Sequence, residues 1–144
     1  MPIGKSLSIN SDFMKNHWMY WLVKLTATGI LLQTLFFKFS GAAESVFIFK
    51  TLGVEPFGRI GSGVIELIAG VLLLFPKKAW IGAIMASMTM VGAVVSHLFI
   101  LGIEVQNDGG TLFILAIITL LCSVIVLFVE RHKWLSLLAT TFRT

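Results

Sequence analysis

The chain has 144 residues, of which 57% are hydrophobic and only 12% charged, and its mean hydropathy is +0.95; a soluble domain of this length is far more polar, so most of its surroundings must be lipid. The formal net charge of +4 arises from basic residues at the ends of apolar runs rather than from a basic stretch, which argues against nucleic acid and for membrane topology. Cys122 is the lone cysteine, which excludes an internal disulfide, a dithiol redox pair and a cysteine-rich metal site.

Residues Met1 to His17 mix Lys5, Ser6, Ser8, Asn10, Ser11, Asp12 and Lys15 with isolated apolar side chains. They lack the apolar core and small-residue cleavage site of a signal peptide, so a retained polar segment is expected. The first apolar run, about Trp18 to Phe39, is long enough to span, since roughly 20 helical residues cross a hydrocarbon layer about 30 Å thick. A short helix at the membrane surface is expected between Ser40 as N-cap and Gly53 as stop, carrying Val46, Phe47, Ile48, Phe49 and Leu52. The second span runs from about Phe57 to Phe75, where Pro76, Lys77 and Lys78 end it. The third, Ala79 to Leu101, follows so tight a turn that the two must be antiparallel neighbours. After a polar turn from Glu104 to Gly110, with Asn107 or Asp108 as cap, the fourth span covers Thr111 to Val129 and ends at Glu130, Arg131, His132 and Lys133. The expected fold is an all-α transmembrane four-helix bundle over residues 18–133, followed by a cytoplasmic tail over 134–144.

With four spans, Lys5, Lys15, Lys77, Lys78, Arg131, Lys133 and Arg143 fall on one side, which the positive-inside rule makes cytoplasmic, together with both termini. The other side holds Glu44, Glu55, Glu104 and Asp108, with Lys38, Lys50 and Arg59 near it.

An ionisable side chain inside a span costs about 2.5 to 3.5 kcal/mol at mid-helix on insertion scales, so each one asks for a partner. Glu66 is the clearest case, about seven residues and on the order of 10 Å inside the outer end of its span. Arg59, Gly63, Glu66 and Gly70 form one stripe at helical spacing, and Gly82, Ala86, Thr89 or Met90, Ala93 and His97 form a matching stripe on the hairpin partner. Glu66 and His97 are therefore expected to converge, with Lys38 and Asp108 at comparable depth and Glu44 nearby. A carboxyl group and an imidazole suit proton exchange with a polar ligand head such as a quinone; the plainer alternative is that these groups pair with one another and fix the bundle's register. Lys24 is expected to snorkel to the inner surface. Gln33 projects about 140° away from Lys38 around the helix and is expected to lie outside any shared site, whereas Thr34 shares the Lys38 face. Three widely separated histidines argue against a metal or haem site.

The string Leu35 to Gly41 (LFFKFSG), Glu44-Ser45, Glu55-Pro56, Gly58-Arg59, Gly61, Gly63, Glu66 and Gly70, then Ser96-His97-Leu98 and Asp108-Gly109-Gly110, resembles the DoxX family. The resemblance implies a small four-helix protein of the bacterial inner membrane, in a family linked to quinone-dependent membrane oxidoreductases and to oxidative-stress complexes, and it marks Lys38, Arg59, Glu66 and His97. Together with the outer polar cluster it leads to the expectation of a non-catalytic or accessory subunit that binds a lipophilic ligand such as a quinone and supports a membrane oxidoreductase partner. Two competing expectations are a membrane-protein assembly or interaction factor without its own ligand, and a small transporter, which the absence of broken helices disfavours; the expected partners are the lipid bilayer and either a membrane oxidoreductase or further copies of the chain in a homo-oligomer.

Overall fold

The computed structural model describes residues 16–141. Its elements are α1 (His17–Ser40), α2 (Ala43–Thr51), α3 (Phe57–Leu74), α4 (Ala79–Ser96) continued by a π-helical turn (His97–Leu101), α5 (Thr111–Val129) and α6 (Arg131–Thr141). Four of them, α1, α3, α4 with its π turn, and α5, are long and apolar enough to cross a membrane, so the protein is a multi-pass membrane protein. Around the bundle the order is α1, α3, α4, α5, with α5 packing back on α1. Neighbours alternate in direction, and each span satisfies its own backbone hydrogen bonds, as hydrocarbon demands.

The bundle is built small side in and large side out. Ala27, Ala69, Ala79, Ala83 and Ala86 are fully buried with Leu31 and Leu73, whereas Leu22, Phe36, Ile68, Met88, Val95, Ile114 and Leu121 are exposed. In water this would be inverted; in lipid no hydrophobic force draws large side chains inward, and small residues let backbones approach closely. Gly82 shows how closely: a Cβ there would meet Ala69 O and Leu73 N at 2.7 Å. The backbone of α4 thus lies directly on α3, and a side chain at this position would push the hairpin apart. Gly63 works similarly, holding the Phe39 ring where a Cβ would stand 3.1 Å from it.

The ends of the elements follow from local chemistry. α1 stops at Gly41, which takes the left-handed conformation at φ 70° and donates back to Phe37 O. Ser40 belongs to the last turn of α1, and the residue before α2 is Ala42, without a side-chain cap; the expected Ser40 cap is corrected, because α1 runs on until a residue free to adopt positive φ is reached. Gly53, at φ +74°, ends the α2 segment as expected. Phe75 is extended, as the residue before a proline is driven to be. Past Val129 the chain turns at Glu130 and forms α6, where the sequence suggested only a tail. The N-terminal segment expected to be polar lies, up to residue 15, outside the described residues.

Candidate functional site

Burial of Glu66 is the starting point. Its side chain is 4% exposed, and Lys38, from the last turn of α1, places Nζ 2.6 Å from Oε1. Thr34, one turn earlier on α1, has its single hydroxyl proton within reach of Oε2 at 3.2 Å and of Leu31 O at 2.8 Å. Both carboxylate oxygens are thus engaged by α1, and the ion pair ties α1 to α3. The ammonium group of Lys38 also lies 5.5 Å from the centre of the Phe49 ring on α2, a cation–π contact that helps a charge tolerate low polarity.

Lys38 and Glu66 form the polar end of a cavity of about 570 Å³, bounded by all four spans and by α2. The walls include Leu31, Ile48, Phe49, Leu52, Met90, Leu101, Leu112 and Leu115, and the polar contributions come from Thr34, Lys38, Glu44, Glu66, His97 and Asp108. α2 is therefore more than a surface helix: Ser45 is buried, Ile48 and Phe49 face the cavity, and Phe47 stays exposed.

His97 opens the π turn at the end of α4. Its Nδ1 is 2.9 Å from Gly102 O, its side chain is buried, and the Phe113 ring of α5 packs edge-on at 5.7 Å. π turns of this kind often accompany functional sites, since one inserted residue re-aims the side chains around it. Asp108 caps α5: Oδ1 accepts from Val105 N and Gly110 N, and Oδ2 from Leu112 N, all at 2.9 Å. Burial alone would push its carboxyl up, but those three N–H groups hold it below the usual carboxylate range.

Of the residues singled out in the sequence, Lys38, Glu44, Glu66, His97 and Asp108 line one cavity. Arg59 does not. Its Nε donates to Glu55 Oε1 at 2.8 Å, its Nη2 lies 2.8 Å from the same oxygen, and Nη1 donates to the Lys38 carbonyl. The partner four residues back holds the guanidinium at the rim, where it fastens the end of α1 to α3. Glu66 and His97 share the cavity, yet the direct partner of Glu66 is Lys38, while His97 is anchored by Gly102. Gln33 requires a correction: it lines the same cavity as Lys38. The helical angle between them is real, but the cavity spreads across a broad arc of α1, from Ile30 and Phe37 to Leu31 and Thr34.

A second buried polar group, at the opposite end of the bundle, escaped the sequence reading. Lys24 is fully buried rather than snorkelling. Its Nζ has no hydrogen-bond partner and lies 4.2 Å from the Trp21 ring centre and 5.0 Å from that of Tyr20. Tyr20 donates to Glu130 Oε1 across the α1–α5 contact, and Lys133 reaches Glu130 Oε2 at 2.8 Å and Pro76 O at 3.0 Å. The signal that could have found this cluster was the antiparallel pairing of α1 with α5, which sets Glu130 beside Tyr20. Between the two polar ends lie Ala27, Leu31, Ala69 and Leu73, and Thr28 and Thr119 spend their hydroxyls on Gly70 O and Leu115 O. Ser123 Oγ is buried there without a partner.

Compared with family models, with curated proteins and with solved structures, the chain matches none of them.

Proposed function

We propose that this protein is a DoxX-like accessory subunit of the bacterial inner membrane that binds a lipophilic ligand with a polar head, a quinone by preference, and supports a membrane oxidoreductase. The observation that carries this reading is the cavity: about 570 Å³ of largely apolar space into which the Lys38–Glu66 pair, Thr34 and His97 bring polar groups. Small-molecule sites have this size and composition, an apolar wall with a few placed polar groups that orient the ligand. The tail of such a ligand would lie among Ile48, Met90, Leu112 and Leu115, and its head against the polar end.

In this reading the cavity faces outward. Lys77, Lys78, Arg131 and Lys133 cluster at the other end, and basic residues favour the cytoplasmic side. Both termini then lie inside. A reporter fused to the C-terminus is active only in the cytoplasm on this topology, and activity restricted to the outside would invert it.

The test is direct. The protein is purified gently, extracted with organic solvent, and the extract examined by mass spectrometry and absorption for a stoichiometric quinone. Wild type is expected to carry it, and Glu66→Gln and His97→Ala are expected to lose most of it while remaining folded. An extract without quinone or other lipophile from wild type, together with normal partner support by both variants, would leave an assembly role carried by the α2 face.

A further inference from the structure

The hydrogen-bond arrangement around His97 specifies which form of a ligand the cavity accepts, an inference that rests on the ligand-binding reading above. Nδ1 is 2.9 Å from Gly102 O. A carbonyl oxygen only accepts, so a neutral imidazole in this position carries its proton on Nδ1 and offers Nε2 as a lone pair. Nε2 has no hydrogen bond from the described residues, and His97 lines the cavity. Asp108, held as a carboxylate by the backbone N–H groups of Val105, Gly110 and Leu112, has no proton to donate to Nε2.

None of the hydroxyls lining the cavity, Ser45 on α2 included, makes a hydrogen bond to Nε2 among the described residues, and five of them have acceptors of their own. Thr34 donates to Leu31 O or Glu66, Ser62 to Arg59 O, Thr89 to Met85 O or Ala86 O, Ser96 to Gly92 O and Thr111 to Asp108 O. Each spends its proton on the turn before its own, or on Glu66. On α1, Lys38 is a pure donor with hydrogens beyond the one given to Glu66. The cavity therefore offers an ammonium donor on α1 and an imidazole acceptor on α4.

We propose that the site selects a lipophile bearing a hydroxyl group, so that within a quinone couple it binds the hydroquinone in preference to the oxidised quinone, with His97 as the residue that discriminates. The hydroquinone O–H donates to Nε2, and a ring oxygen accepts from Lys38. The oxidised ring has only acceptors, so its carbonyl would meet the Nε2 lone pair with no proton between them. A buried acceptor left without a donor gives roughly a tenfold to hundredfold difference in affinity.

The experiment uses the full chain in detergent after exhaustive removal of bound lipid. A short-tailed quinone, the same compound kept reduced under anaerobic conditions, and its dimethyl ether are titrated in turn by calorimetry. The expected result is that the hydroquinone binds at least tenfold more tightly than both quinone and ether. His97→Phe, which keeps the ring volume but removes the acceptor, should abolish the difference in affinity between hydroquinone and quinone. The tautomer is read separately from the nitrogen shifts of His97 in labelled protein, with the proton expected on Nδ1. Equal or tighter binding of the oxidised form, or a proton found on Nε2 of the neutral ring, overturns the proposal while leaving lipophile binding intact. Binding of none of the three compounds defeats the ligand-binding reading itself. If His97→Phe does not fold, the three-ligand series on the wild type still decides.

Discussion

The two polar ends of the bundle carry the same residue types on the same helix, with opposite consequences. At one end Lys38 finds Glu66 at 2.6 Å, and together they face a cavity of about 570 Å³. At the other, Lys24 is fully buried with its ammonium unpartnered, because the nearby carboxylate of Glu130 is already engaged by Tyr20 and Lys133. One lysine neutralises a charge and opens onto space; the other is enclosed by aromatic rings. Burial of a charge by itself therefore says little about function: what matters is whether the charge is paired and what it faces.

Replacing Lys38 should have the largest effect. A single hydrogen bond inside a membrane protein averages only about 0.6 kcal/mol, because the unfolded chain in lipid also finds partners. Lys38→Met removes more than a bond: it strands the Glu66 carboxylate, 4% exposed, with Thr34 as its remaining partner. Breaking one member of a buried pair costs about 3 to 5 kcal/mol, whereas replacing both members with apolar groups is often close to neutral. Detergent-induced unfolding followed by circular dichroism should show a large loss for Lys38→Met and recovery of most of it in Lys38→Met/Glu66→Met. If the double variant is as unstable as the single one, the stranded carboxylate is not the cause.

The same substitution one turn past Tyr20 should go the other way. Lys24→Met removes a buried ammonium lacking any hydrogen bond, whose burial costs more than that of a neutral polar group, about 1 to 3 kcal/mol on mutational scales. Against this stands the loss of cation–π attraction to Trp21 and Tyr20, about 0.5 to 2 kcal/mol. The net expectation is a gain of about 1 kcal/mol in the same unfolding assay. A loss comparable to that of Lys38→Met would mean that Lys24 is paired after all, and the contrast between the ends would collapse.

Much of this was legible in the sequence, for identifiable reasons. The spans could be read because lipid enforces long apolar runs, and Pro76 with its two lysines marks the hairpin in the chain itself. Glu66 and His97 stood out because a charge or imidazole within such a run needs a reason. What a single sequence does not carry is the register between helices. Lys38 stands 28 residues before Glu66, and Tyr20 stands 110 before Glu130; only the packed bundle decides which groups meet. Lys24 was misjudged for the same reason, since snorkelling supposes open lipid where α1 instead packs on α5 and folds the lysine under Tyr20 and Trp21. Arg59 shows the converse error: a charge at the right depth spends itself on Glu55, four residues away.

The smallest effect belongs to Asp108, which touches the cavity yet serves mainly as a cap. Its carboxylate takes three backbone N–H groups, so Asp108→Ala should cost about 1 kcal/mol at neutral pH, the usual value of a helix cap. The pH dependence carries the sign. A carboxyl held below its unfolded value, near 3.9, contributes fully above that value and loses its contribution as pH falls through the lower folded one. Wild type should thus show no Asp108-dependent change between about pH 7 and pH 5, and a loss only below about pH 4. Asp108→Ala should be uniformly weaker above that range and converge on wild type in acid. Convergence near pH 6 instead would mean that the carboxyl is raised rather than lowered, and that Asp108 belongs with the groups that face the cavity and not with the frame that holds them.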